Sequence, residues 1–290
     1  MRFVLTLVAA RDKTSLTGPL LKRVRSAIEG GDPIWLSAGE AADIPCMAAP
    51  DPRVLEQALD GKPIDAIIVK HRARRKAVLV ADMDSTIVTS ETLDELAAEA
   101  GIKDQIAAIT TRSMNGEIDF ATALRERVAM LRGLELGALE RTWRRTHFMP
   151  GAEELVATMR AHGSTTALVS GGFTFFTERV AAALGFDQHR ANVLLDNGSF
   201  LTGTVAEPIL DRDAKLTALQ NIAAARGVQL SACIAVGDGA NDIAMIRAAG
   251  LGVAYHAKPI VAEQARTQIR HADLRALLFA QGYPASSFVT

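Results

Sequence analysis

The chain has 290 residues, 49% hydrophobic and 22% charged, which excludes global disorder and allows one or two domains with a full core. Its 32 basic and 33 acidic residues leave a net charge of −1, too even a balance to suggest nucleic acid or an anionic membrane as partner. Aromatics at 5% argue against a base-stacking platform, and the two distant cysteines, Cys46 and Cys233, match no metal or redox spacing.

Both thiols are therefore expected to be reduced, as in a cytoplasmic protein. Met1–Ala10 is apolar, but Arg2 lies close to the start and Arg11-Asp12-Lys13 cuts the run short, so no signal peptide is expected. No uncharged run reaches the ~20 residues a membrane helix needs.

Phe3–Val8 reads as a buried strand, and Leu16–Ile28 has helical apolar spacing that Gly30-Gly31 stops. Ile34–Leu36 is a predicted strand, Pro52–Leu59 a helix and Asp65–Val69 a strand. Together they predict a small N-terminal α/β domain over residues 1–72, without a recognisable catalytic cluster. His71-Arg72-Ala73-Arg74-Arg75-Lys76 is too short, and too poor in aromatics, for a nucleic-acid patch. It reads as a solvated linker at the domain boundary.

The second domain, 73–290, opens with Lys76–Ala81, a continuous apolar run that suits a central parallel strand covered on both faces. Helical patterns follow at 91–101, 118–132 and 136–145. Thr165–Val169 is a strand, Phe173–Leu184 a helix, Cys233–Val236 a strand, Ala240–Ala249 a helix and Leu251–Ala254 a last short strand. The alternation implies an α/β, doubly wound parallel sheet. The helical stretch from about 88 to 150 interrupts it as an inserted cap.

Three stretches could carry chemistry. Asp82-Met83-Asp84-Ser85-Thr86 sets two carboxylates at the C-terminal end of the strongest strand, where open α/β sheets bind ligands. Two close anions at a dry edge repel unless a cation joins them. A calcium loop fails here, because Ile87 stands where glycine is needed and Leu93 where glutamate is needed. Ser170-Gly171-Gly172 follows a strand and opens a helix, a natural oxyanion cradle but also an ordinary turn. It lacks the spacing of a dinucleotide site. Gly237-Asp238-Gly239-Ala240-Asn241-Asp242 adds two carboxylates and an amide after another buried strand. Asp82, Asp84, Asp238 and Asp242 thus converge on one sheet edge, and that many hard oxygen donors suggest Mg²⁺. Lys215 alone would be a surface residue at a helix start. It gains interest because such a site needs a fixed cation against a phosphoryl group.

In this order, these pieces resemble the haloacid dehalogenase superfamily of phosphohydrolases. Asp82-Met83-Asp84-Ser85-Thr86 resembles its first motif. Ser170, Lys215 and Gly237–Asp242 resemble the second, third and fourth. Asp84–Glu95, Met114–Phe120 and Leu124-Arg125-Glu126-Arg127 are similar to the phosphoserine phosphatases within it. Met83 stands where relatives often have phenylalanine. The likeness covers about 76–270. More weakly, residues 1–72 resemble an extra N-terminal domain of bacterial members, akin to amino-acid-binding regulatory modules.

The resemblance implies a Mg²⁺-dependent hydrolase that converts O-phosphoserine to serine and phosphate through a phospho-aspartate, the last step of serine biosynthesis. It assigns Asp82 as nucleophile and metal ligand. Asp84 becomes general acid/base and offers the metal its backbone carbonyl. Asp238 is a third ligand, and Asp242 supports the metal shell. Ser170, Gly171, Lys215 and Asn241 would hold the phosphate or orient the nucleophile. Glu91 would meet the substrate ammonium and Arg127 its carboxylate, with Met114 and Phe120 as walls. The expected partner is this small molecule, with no nucleic acid or membrane, and a homodimer through the N-terminal domain. Two rival functions remain: transfer of the phosphoryl group to another alcohol, and a regulatory protein in which residues 1–72 sense an amino acid.

Overall fold

The computed structural model describes residues 2–114 and 117–290, the side chains of Met114 and Arg212 excepted. The N-terminal unit runs β1 (Phe3–Ala9), α1 (Gly18–Ala27), β2 (Ile34–Ser37), β3 (Ala41–Cys46), α2 (Pro52–Leu59) and β4 (Ile64–Lys70). Its sheet has the order β2-β3-β1-β4 with every pairing antiparallel, a ferredoxin-like arrangement. Thr17 caps α1 by accepting from the Leu20 N–H, and Asp51 caps α2 by accepting from Arg53. Leu20, Leu21, Val24, Leu55 and Leu59 bury the helices against Leu5, Leu7 and Ile44 of the sheet. Strand β3 was not expected from the sequence: Ala41-Ala42-Asp43-Ile44-Pro45-Cys46 carries both an aspartate and a proline. Val8, Ala41 and Ile67, on the other face, join the core of the larger domain.

The larger domain begins with β5 (Val78–Ala81), followed by α3 (Thr92–Glu99), α4 (Lys103–Met114), α5 (Phe120–Ala129), α6 (Gly137–Arg145) and α7 (Ala152–Ala161). Next come β6 (Thr165–Phe173), α8 (Thr174–Leu184), β7 (Gln188–Asn192), β8 (Leu194–Asp196), β9 (Leu201–Val205) and α9 (Arg212–Ala225). The chain ends with β10 (Cys233–Gly237), α10 (Ile243–Ala248), β11 (Leu251–Tyr255), α11 (Pro259–Ala262), β12 (Thr267–Ile269) and α12 (Ala276–Ala280). The main sheet is parallel, in the order β12-β11-β10-β5-β6-β7. Val78 and Val80 face Ala218, Leu219 and Ile222 of α9, whereas Leu79 and Ala81 face the opposite core with Leu155, Val156 and Phe176. Both faces are covered, and Val78–Ala81 are all 0% exposed, so the continuous apolar run is what the position demands.

Strand order reverses at β5, which opens a crevice at the C-terminal edge. The register puts Ala81 beside Val236 and Leu168. The next residues of the three strands, Asp82, Gly237-Asp238 and Val169-Ser170, therefore meet there.

The structure departs from the sequence reading at several further places. Helices α4, α7, α11 and α12 and strand β7 were unpredicted, and β12 follows the strand read as last. The 240–249 helix breaks into a 3₁₀ turn, Ala240–Asp242, before α10. The β8–β9 hairpin is a second insertion, joined to the cap by Gly133 N–H and Leu136 N–H donating to Leu201 O and Ser199 O. The run 71–76 is not simply solvated. Arg74 lies between the two units, its Nη1 2.6 Å from Asp43 Oδ2, while Nε donates to Ala280 O and Nη2 to Phe279 O and Thr6 Oγ1. Asp65 of β4 accepts the N–H groups of Arg270, His271 and Ala272. Arg275 pairs with Glu40, and Arg11 with Asp273.

Candidate active site

Asp82 follows directly on β5 and is 5% exposed. Lys215, in the first turns of α9, places Nζ 2.6 Å from Asp82 Oδ1 and 2.6 Å from Asp242 Oδ1. Asp211 anchors that helix start by accepting from the Asp213 and Ala214 N–H groups. Asp82, Asp238 and Asp242 bring carboxylate oxygens within 4.8 Å of one another, all three residues being buried. Thr86 Oγ1 lies 3.4 Å from Asp238 Oδ1. Asp242 has both oxygens engaged, Oδ1 by Lys215 and Oδ2 by the Gly239 N–H at 2.9 Å. Gly237 has to be glycine, since a Cβ there would stand 2.3 Å from the Asp242 carboxyl carbon.

Burial raises the Asp82 carboxyl well above its usual range, Asp242 raises it further, and Lys215 opposes them. Asp238 is pushed up to about 6 by burial, then by Asp242 and Glu91, against Lys258 and Lys215. Burial works against the Lys215 ammonium, yet Asp242 and Asp82 hold its pKa above the ordinary lysine value. One lysine cannot neutralise three buried carboxylates. The donor set, all hard oxygens, fits a divalent cation of the Mg²⁺ kind.

Asp84 faces the pocket two residues on. Its Oδ1 accepts the Thr92 N–H at 3.0 Å, and its Oδ2 lies 3.4 Å from Ser170 Oγ. Burial, then the nearby Glu91, push it up to about 7. The two motif aspartates are thus in different settings, one on a lysine and the other able to hold a proton near neutral pH.

Ser170 accepts the Gly172 N–H at 2.9 Å. A Cβ on Gly171 would stand 3.2 Å from Phe120 Cζ, so the glycine lets the cap ring close on the cradle. The cavity of about 150 Å³ is lined on one side by Asp82, Asp84, Ser170, Gly171, Asp238 and Asn241. Cap residues Glu91, Phe120 and Arg127 line the other side. Glu91 sits at the N-cap position of α3, but its side chain makes no capping bond. It accepts from Ser85 Oγ at 2.8 Å instead. Ser85 itself has a left-handed φ of 54°. Arg127 donates Nε to Ala123 O one turn back, and burial pulls its guanidinium below the ordinary arginine value.

The expected residues therefore gather around one cavity, except Met114, whose side chain lies outside the described residues. Lys215 and Asp242 stand behind Asp82 rather than on the cavity wall. Sequence reasoning missed Lys258, Leu93 and Leu124, which also line the cavity. The Lys258 N–H donates to Asp238 O at 3.4 Å. Nothing in the local sequence singles out a lone lysine after β11.

This fold and site define a haloacid dehalogenase-like hydrolase: the chain belongs to that family, whose profile matches residues 79–247. Its relatives narrow the class. A phosphoserine phosphatase of Streptococcus thermophilus is 47% identical over 199 residues, covering 69% of this chain and 93% of the relative. A probable phosphoserine phosphatase of Vibrio cholerae has a solved structure with a TM-score of 0.81 and 30% identity, covering 99% of this chain and 88% of that one. A haloacid dehalogenase family hydrolase of Salmonella enterica serovar Typhi gives a TM-score of 0.86 at 28% identity, covering 96% and 97%.

Proposed function

We propose that the chain hydrolyses O-phosphoserine to serine and inorganic phosphate through a phospho-enzyme on Asp82. One observation carries the reading. Asp82, with Lys215 buried behind it, sits at the floor of a cavity whose cap side offers an anion, Glu91, and a cation, Arg127. A zwitterionic phosphomonoester needs that charge arrangement.

In this reading the phosphate rests against Ser170, the Gly171-Gly172 backbone and Asn241, with Lys215 beneath. Arg127 receives the carboxylate, its fork suited to two oxygens, and Glu91 the ammonium. An oxygen of Asp82 attacks phosphorus as the seryl oxygen leaves, and a proton held on Asp84 passes to that oxygen. Asp84 then takes a proton from the water that attacks the acyl-phosphate. Asp82 and Asp238, with the Asp84 backbone carbonyl, would hold Mg²⁺, and Asp242 supports that shell through Lys215 and Gly239. The bound ion would supply Lewis-acid charge against the transferring phosphoryl group. The Phe120–Gly171 contact supports a lid that opens for substrate and closes against water.

The remaining parts follow the same reading. Residues 1–72 form a regulatory-like domain and 73–290 the phosphatase, with its cap at about 88–150. The protein acts in the cytoplasm on a small molecule alone, as a homodimer through the N-terminal domain. Among the described residues no helix is long and apolar enough to cross a membrane.

The test is phosphate release from O-phosphoserine with Mg²⁺, set against a chelated sample and Asp82→Asn. Release that persists in Asp82→Asn would overturn the reading. Adding alcohols such as homoserine and looking for new phosphate esters tests the transferase alternative.

A further inference from the structure

Asn192, the last residue of β7, takes no part in the chemistry above and does not line the cavity. It is 2% exposed, and both ends of its amide are used. Nδ2 donates to Gly171 O at 2.9 Å, and Oδ1 accepts the Leu210 N–H at 2.8 Å. The first bond reaches the cradle on β6. The second reaches the segment that enters α9 and carries Lys215.

The Gly171–Gly172 peptide is therefore held at both ends. Its carbonyl is drawn to Asn192, and its N–H donates to Ser170 Oγ. A peptide between two glycines has the weakest intrinsic preference for one orientation, because no Cβ restricts φ and ψ. Turned over, it would aim a carbonyl oxygen, rather than an N–H, at Ser170 Oγ and the side of the cradle where an anionic phosphate would rest. It would also release Ser170 Oγ, which now accepts from Gly172 and so has its own proton free for Asp84 or a ligand.

We propose that Asn192 is a positioning residue for phosphate binding: it locks the Gly171–Gly172 peptide with its carbonyl away from the pocket. The role rests on the phosphatase reading for the identity of the substrate, but not for the geometry. Asn192→Asp removes the donor to Gly171 O and keeps an acceptor for Leu210, whereas Asn192→Ala removes both.

The test measures three quantities for wild type and both variants, with Mg²⁺: KM and kcat for O-phosphoserine, the inhibition or dissociation constant of inorganic phosphate, and the melting temperature. We expect phosphate affinity and KM to weaken together, roughly tenfold or more in Asn192→Asp, as expected for a lost bond in a phosphate cradle. Phosphate affinity unchanged in a folded variant overturns the proposal, even where melting falls. If the wild type releases no phosphate from O-phosphoserine, the substrate reading fails, and the inorganic-phosphate constants still decide the role of Asn192. Should neither variant fold, a crystal structure of the wild type with phosphate decides. Gly171 O on Asn192 supports the lock, and a carbonyl turned into the pocket overturns it.

Discussion

Lys215 Nζ lies 2.6 Å from Asp82 Oδ1 and the same distance from Asp242 Oδ1, with all three side chains buried. The lysine therefore orients Asp82 and holds the anion behind it. Its loss strands two buried carboxylates, a change of the kind that costs about 3–5 kcal/mol. We expect Lys215→Ala to lower the metal-free melting temperature and to reduce kcat on the order of a hundredfold to a thousandfold. A variant that turned over at the wild-type rate would show that Lys215 does not act on the transferring group.

Stability without metal depends on pH through the raised carboxyls. Asp84 at about 7 and Asp238 at about 6 keep protons in the folded state that the unfolded chain releases near pH 4. The folded form then binds more protons, so their contribution to stability falls as pH rises from about 4 to about 7. Asp84→Asn removes one of these groups. In chelator, the variant should gain on the wild type across that window, as read from urea midpoints at several pH values. A gap independent of pH would mean that Asp84 ionises normally. Mg²⁺ should stabilise the wild type more at pH 7.5 than at pH 5.

Arg127 and Glu91 stand on the helical segment between β5 and β6, across the cavity from Asp82, so their loss should act on binding more than on chemistry. Arg127→Ala is expected to raise KM for O-phosphoserine roughly tenfold to a hundredfold, the size of a lost charge-assisted bond, with a smaller fall in kcat. Steady-state kinetics decide, and an unchanged KM removes Arg127 from the substrate site. Glu91→Gln should weaken phosphoserine more than a phosphomonoester that lacks the ammonium.

The bond from Arg74 to Asp43, at 2.6 Å, joins the two units through a partly buried network. Arg74→Ala leaves Asp43 without that partner at an interface 6% exposed at the aspartate. The melting temperature should drop by several degrees. At low temperature kcat/KM should stay near wild type, since Arg74 is absent from the cavity wall. Hydrogen exchange should rise at β4 and at 270–272, where Asp65 clamps three N–H groups. Unaltered exchange at both places would show that Arg74 does not hold the interface.

If the cap closes on substrate, exchange over 92–145 should slow when Mg²⁺ and a phosphate mimic bind. Equal protection in both states would mean that the cap does not move.

Much of this protein is local chemistry and was legible in its residues. The apolar run Val78–Ala81 ending at Asp82, the glycines around Asp238 and the order of the motifs specify a parallel sheet edge and a set of carboxylates. They do so because side chains buried on both faces leave no alternative to apolar residues. The elements that went unread had patterns that local rules do not favour. Strand β3 contains Asp43 and Pro45, and the aspartate is tolerated because Arg74 and Thr6 engage it. The β8–β9 hairpin earns its place by bonding to the cap, with Leu201 and Val205 turned inward.

By itself, then, the sequence determined the class of chemistry: which carboxylates gather, and that a cation must join them. Only the tertiary structure decided how far apart they stand, that Asp242 belongs to Lys215, and that Lys258 and Asn192 surround the cradle. It also turned Arg74 from a linker charge into an interface pin. Those outcomes depend on contacts between residues far apart in the chain, such as Arg74 with Ala280 and Asn192 with Gly171, and no local spacing encodes a distance across a fold.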